Sequence, residues 1–167
     1  MATSRRVKKV VVAIDESSES LNALVWALDN MIEQPWKDQG FPGDTLVLLH
    51  SQSLPYVYIS EPGIVGPSGG LYSAQLLASM KQQQEHSTDI LLTAAKNLCT
   101  QKNIKAVTSV IFGDPRDNIC DFLEESHADM LVIGSHGYGT MKRALLGSVS
   151  DYCARYAKCP VLVVKKS

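Results

Sequence analysis

The 167-residue chain lacks any apolar run approaching the roughly 20 residues that a membrane-spanning helix requires, so no span is expected. It lacks a CxxC pair, and none of Cys99, Cys120, Cys153 and Cys159 has a histidine at zinc-site spacing. Reduced thiols, mostly buried in helices, are therefore expected. The histidines, His50, His86, His127 and His136, are too scattered in sequence to suggest a metal centre. With a net charge of −1, no excess of one sign draws the protein to nucleic acid or to anionic membranes. Basic residues do gather as Arg5, Arg6, Lys8, Lys9 and again as Lys165, Lys166, where they keep the flanks of apolar strands in solution. A secretory leader is missing too, because the charged start passes into an apolar run of strand length; the cytosol is the expected compartment. There is no internal repeat and no linker, so residues 1–167 are expected to form one domain around one core.

What is present alternates. Val7 to Ile14 contains VVVAI, a β-branched run suited to a strand buried on both faces. After Asp15-Glu16-Ser17-Ser18, apolar residues recur at Leu21, Leu24, Val25, Leu28 and Ile32, with Ser17 or Ser18 as N-cap of a helix. Thr45–His50 repeats the buried-strand pattern. Residues 52–71, rich in proline and glycine, read as a flexible insertion. A long polar helix is predicted from about Tyr72 to Lys102, with its apolar spacing at Ile90, Leu91, Ala94 and Leu98. Val107–Phe112 reads as a third strand, and Pro115 opens a third helix bearing Ile119, Phe122 and Leu123. Met130–Ile133 is a fourth strand; Val149, Tyr152, Cys153 and Tyr156 mark a fourth helix whose tyrosines read as core packing, and Val161–Val164 a last strand. This βαβαβαβαβ order predicts an open five-stranded parallel sheet with helices on both faces, Rossmann-like in layout.

In such a sheet ligands bind beyond the carboxyl ends of the strands, near the point where the winding reverses. The connection after the fourth strand is the informative one: Gly134-Ser135-His136-Gly137, nine residues, then Gly147-Ser148-Val149-Ser150 opening a helix. Glycines admit close backbone approach and φ > 0, and a helix N-terminus presents unpaired N–H groups to an anion. Ser148 and Ser150 add hydroxyls. The competing structural reading is a capping box from Ser148 to Asp151. A P-loop is excluded because Thr140 stands where its lysine belongs, and the first βα turn lacks the dinucleotide glycines.

The spacing G-x2-G-x9-G-(S/T), formed by Gly134, Gly137, Gly147 and Ser148, resembles the universal stress protein A family, specifically its ATP-binding branch. VVVAIDESSES, LLH, MLVIGSHGYG and CPVLVVKKS extend the likeness over nearly the whole chain, and the insertion after His50 is similar to plant members. The resemblance implies an adenine nucleotide alpha hydrolase-like fold with ATP or AMP as ligand and Mg²⁺ as an optional companion of ATP. Carried over by position, it places Asp15 at the ribose or a phosphate-bound metal, with helix capping as the alternative role. Ser51 falls where the backbone meets the adenine. Ile133 and Gly134 line the nucleotide, and Gly137, Gly147, Ser148, Val149 and Ser150 hold its phosphates. It further implies a homodimer through strand 161–164, without nucleic-acid or membrane partners.

Three functions are then in play: a nucleotide-responsive binding module in stress signalling with unidentified protein partners, a slow ATPase or phosphoryl-transfer enzyme, and a chaperone-like protein with a vestigial site. The intact glycines favour the first. The missing lysine and the lack of an evident base count against the second, with His136 the best remaining candidate for hydrolysis. The basic loop residues Lys142 and Arg143 are weaker phosphate contacts.

Overall fold

The computed structural model describes residues 9–31, 45–52, 74–136 and 146–165. Nine elements alternate along them: β1 (Lys9–Ala13), α1 (Ser18–Asn30), β2 (Thr45–Gln52), α2 (Ala74–Gln101), β3 (Ala106–Phe112), α3 (Pro115–Glu125), β4 (Met130–Gly134), α4 (Ser148–Tyr156) and β5 (Val161–Val164). All strand pairs are parallel, in the order β3-β2-β1-β4-β5. The sheet anticipated from the alternating pattern is thus the sheet observed.

The β-branched run of β1 occupies the centre because it can be covered on both sides. Period-two alternation sends Val10, Val12 and Ile14, with Leu46, Leu48 and Val132, into one layer beneath α1 and α2. Val11, Ala13, Val47, Leu49, Leu131 and Ile133 enter the opposite layer, where Ile119, Leu123 and Cys153 of α3 and α4 meet them. The chain winds outward from β1 to β3 and then returns past β2 and β1 to form β4. That return puts the winding reversal between β1 and β4, where an open α/β sheet offers a crevice.

Local chemistry starts the helices. Ser17 caps α1 by accepting from Ser20 N at 3.1 Å, and Asp114 caps α3 by accepting from Arg116 N at 2.9 Å, with Pro115 in its first turn. Past the ends of α2 and α3, Asn103 and His127 take left-handed φ of 58° and 52°.

Several expectations need correction. The buried stripe of α2 is Thr88, Leu91, Leu92, Ala95 and Cys99, whereas Ile90 is 58% exposed and Ala94 faces solvent. The observed stripe follows i, i+3, i+4, i+7 from Thr88, so a polar residue begins what the apolar spacing placed one position away. Tyr152 and Tyr156 are not core residues: Tyr156 is exposed, their ring centroids lie 4.5 Å apart with the planes tilted by 41°, and Tyr152 Oη donates to Asp117. Gln52 belongs to β2 and is buried, so the insertion does not begin there. Residues 53–71 of that insertion lie outside the described residues, as do Gly137, Lys142 and Arg143. Cys99, Cys120 and Cys153 sit in helices as expected, and all four cysteines are free thiols. Among the described residues, no helix is long and apolar enough to cross a membrane.

Candidate functional site

At the carboxyl ends of β1, β2 and β4 lies a cavity of about 730 Å³. That volume falls within the roughly 300–1,000 Å³ typical of small-molecule sites. Of the residues singled out by motif and resemblance, Asp15, Ser51, Ile133, Gly134, Gly147, Ser148, Val149 and Ser150 all line it. His136 lines it as well; Gly137 lies outside the described residues.

The α4 end is built for an anion. Gly147 is the N-cap, with φ −73° and ψ 161°, and no side chain caps the helix. The capping box from Ser148 to Asp151 is therefore not formed; Asp151 instead pairs with Arg155 at 3.1 Å. First-turn N–H groups of Ser148, Val149 and Ser150 have no intrahelical acceptor, and they begin a helix that opens on the cavity. The extended φ of Gly147 is one any residue adopts, so left-handed backbone is not what requires glycine there.

Two of these lining residues also hold the fold together. The Ser150 hydroxyl is 2% exposed and lies 3.0 Å from the carbonyl oxygens of both Ser135 and Gly147, so its single proton serves the fold and not a ligand. The Ser135 carbonyl also accepts from Gly147 N at 2.6 Å, which fixes the start of α4 to the end of β4. Gly134, in turn, packs against a helix. A Cβ there would stand 2.9 Å from Glu19 C, 3.0 Å from Glu19 O and 3.1 Å from Ser20 N, all backbone of α1. Its bareness lets α1 seat on β4.

The Asp15 turn is locked from within. Asp15 Oδ1 accepts from Ser17 N at 3.0 Å and from the Ser17 hydroxyl, while Ser20 Oγ donates to the Asp15 carbonyl at 2.8 Å. The carboxylate is thereby held at the cavity wall, and Ser17, not Asp15, caps the helix.

The β2 end offers backbone. Ile14 N donates to Leu49 O at 2.8 Å, the last rung toward β1, and Gly113 N donates to Gln52 O on the β3 side. Alternation along a strand then turns the Ser51 N–H and C=O toward the β1 side, beyond the end of β1, where the cavity begins. The Ser51 hydroxyl points to the α3 face, buried and without a hydrogen-bond partner. His50 is 4% exposed, and its Nδ1 donates to the Ile14 carbonyl at 2.8 Å, tying the ends of β1 and β2 together.

Sequence reasoning missed one wall. Gln52 of β2 and Gln84, Ser87 and Thr88 of α2 also line the cavity. The signal was the alternation 46-48-50-52 along β2 and the continuation of the Leu91–Leu92–Ala95 stripe one turn backward. Among the described residues the cavity is lined by two histidines, His50 and His136, and by no lysine or arginine, against the carboxylates of Asp15 and Glu16. Phosphate there would be met by N–H groups more than by side-chain charge. Among the described residues no cluster of three metal-ligating side chains occurs.

Residues 6–165 match the family model described as "Universal stress protein family". The chain is 26% identical to the universal stress protein A-like protein of Arabidopsis thaliana over 95% of its own length and 90% of that protein's. It is 30% identical to a universal stress protein of Methanocaldococcus jannaschii, covering 95% of this chain and 82% of that one. Among solved structures, an Arabidopsis thaliana protein of the same family, crystallised with AMP bound, superposes with a TM-score of 0.65 at 24% identity, over 96% of this chain and 92% of that one.

Proposed function

The chain belongs to the universal stress protein family, and on that premise we propose that its cavity binds an adenine nucleotide, ATP or AMP, in a dimeric module that signals stress through nucleotide occupancy. The observation that carries this reading is the start of α4, without a side-chain cap, which opens on the same cavity as the backbone N–H and C=O that Ser51 turns away from β3. An anion site and an adjacent donor and acceptor are what a phosphate and an adenine edge require. The AMP-bound relative supports the ligand class. In this reading the first-turn N–H groups of α4 hold phosphate, with Ser148, which is exposed, able to add its hydroxyl. Val149 contributes backbone, Ile133 packs on the nucleoside, and Ser51 meets the base. Asp15 reaches the ribose or, with ATP, a phosphate-bound Mg²⁺. Gly137 belongs to the same phosphate loop by its motif position.

The dimer is proposed through β5, which pairs with β4 on one side and is otherwise an edge among the described residues. The Pro160 and Val164 carbonyls accept from Leu131 N and Ser135 N, so alternation turns the Val161 and Val163 backbone outward. The cytosol remains the proposed compartment, in keeping with four free thiols.

The direct test is to denature purified protein, identify released nucleotide by mass spectrometry, and titrate the nucleotide-free protein with AMP and ATP in a calorimeter. Micromolar or tighter binding of either is expected. Failure of both to bind would remove this reading.

A further inference from the structure

Resting on the nucleotide reading, we infer that Gln52, steadied by Thr88, reads the base edge and selects a purine that presents an adjacent donor and acceptor. Gln52 and Thr88 are each only 6% exposed, yet both line the cavity. A buried carboxamide has four hydrogen-bonding sites to satisfy. Here Thr88 Oγ1 donates to Gln52 Oε1 at 3.4 Å, well beyond the roughly 2.7–2.8 Å usual for a hydroxyl donor. Among the described residues the Gln52 Nε2 has no partner. The side chain is thus held in orientation but left with a donor and most of an acceptor unused, at the wall of an open cavity.

The surroundings favour a neutral ligand edge. Gln84 and Ser87 continue this wall from α2, while Lys81, Glu85 and Asp89 of the same helix are exposed and do not line the cavity. Position agrees with a base and not a phosphate. Gln52 ends β2, whereas the anion site follows β4, two strands away across β1, or roughly 9–10 Å in the hydrogen-bonding direction. Adenine presents its 6-amino donor beside a ring-nitrogen acceptor, the pattern that a carboxamide matches with two bonds. Guanine differs in carrying, beside its O6 acceptor, two neighbouring donors, N1–H and the 2-amino group, a pair that a carboxylate matches with two bonds. Ser51 contributes backbone only, which any residue supplies; Gln52 contributes a side chain that sequence can change.

The test pairs protein variants with ligand variants by calorimetry. Wild-type protein is expected to bind AMP roughly five- to tenfold more tightly than purine riboside 5′-monophosphate, which lacks the 6-amino group, the range for one buried hydrogen bond. Gln52→Leu should narrow that preference, leaving only what the Ser51 backbone supplies. Gln52→Glu, which keeps size and polarity, should weaken AMP and raise GMP relative to it, a reversal that loss of packing alone does not produce. Thermal melts establish that each variant is folded, and Thr88→Val, which removes the steadying hydroxyl, should narrow the AMP preference part-way. If wild-type protein binds AMP but Gln52→Leu keeps full discrimination, or Gln52→Glu leaves the AMP-to-GMP ratio unchanged, this inference falls and the nucleotide reading stands. If AMP does not bind wild-type protein, both fall.

Discussion

Replacing Gly134 by alanine tests the packing of the molecule directly. The new Cβ would lie 2.9 Å from Glu19 C and 3.0 Å from Glu19 O, where carbon contacts are comfortable at about 3.5–4.0 Å. Something must therefore move by roughly half an ångström or more. The obstacle is backbone, and it has little freedom. Ser20 is 4% exposed, its N–H is held by Ser17 Oγ at 3.1 Å, and its hydroxyl is tied to the Asp15 carbonyl at 2.8 Å. Either the start of α1 lifts as a unit or β4 recedes from it. Overpacking of this kind costs about 1–3 kcal/mol. For a chain of 167 residues each kcal/mol corresponds to about 2–4 °C in Tm, so a fall of about 2–12 °C is expected. The sign makes the test decisive. Gly134 lies outside the left-handed φ region, where a glycine-to-alanine change without a clash stabilises by about 0.4–1 kcal/mol through the unfolded chain. Urea unfolding followed by circular dichroism should give a lower midpoint with an unchanged slope. A midpoint equal to or above that of the wild type would refute the packing argument. Because Asp15 rides on the same turn, AMP affinity should fall in this variant as well.

Ser150→Ala should cost about 1 kcal/mol of stability through loss of the bond to the Ser135 carbonyl, read by the same urea titration. Val163→Pro removes an N–H that faces outward from β5 and leaves the β4 ladder intact, so light scattering should report a dimer for the wild type and a monomer for this variant. Burial pushes the Cys153 thiol up to about 12 and the Cys99 thiol up to about 11, so both stay protonated at pH 8, and native protein should leave them unlabelled by a thiol reagent until denaturant is added. A raised folded value also means that their contribution to stability is complete below the unfolded thiol value of about 8.5 and declines as pH rises through the folded one. ATP hydrolysis should be far below the roughly 10 s⁻¹ median of enzymes. Single-turnover measurement of several per second, abolished by His136→Ala, would instead make the protein an enzyme.

The sheet was legible because its signal is local and redundant. The run at Val10–Ile14 and the repeats at Leu46–Leu49 and Met130–Ile133 leave no alternative to buried parallel strands. The order of elements then dictates where the crevice falls. What could not be read were relations between distant segments. Gly134 sits in a phosphate-type motif, yet the atoms it makes room for belong to Glu19 and Ser20, one helix and two crossovers away in the chain. Ser150 looked like a ligand donor because hydroxyls at helix starts so often are, and only the fold reveals the two carbonyls that occupy it. The α2 wall escaped for a plainer reason. Its inward stripe begins with Thr88 and runs back through glutamines and serines, which hydrophobic periodicity does not register.

The bonds that Ser135 O accepts from Gly147 N and Ser150 Oγ close a neck between the end of β4 and the start of α4. Chain between the two sides of a neck can be exchanged without moving either side. Doubling the length of such a connection adds only about 0.6 kcal/mol of closure entropy. The start of α4 is thus anchored to the end of β4 by bonds of its own. A reporter peptide inserted between positions 137 and 147 is therefore expected to leave α4 in place, which, on the nucleotide reading, makes the protein a scaffold for a sensor.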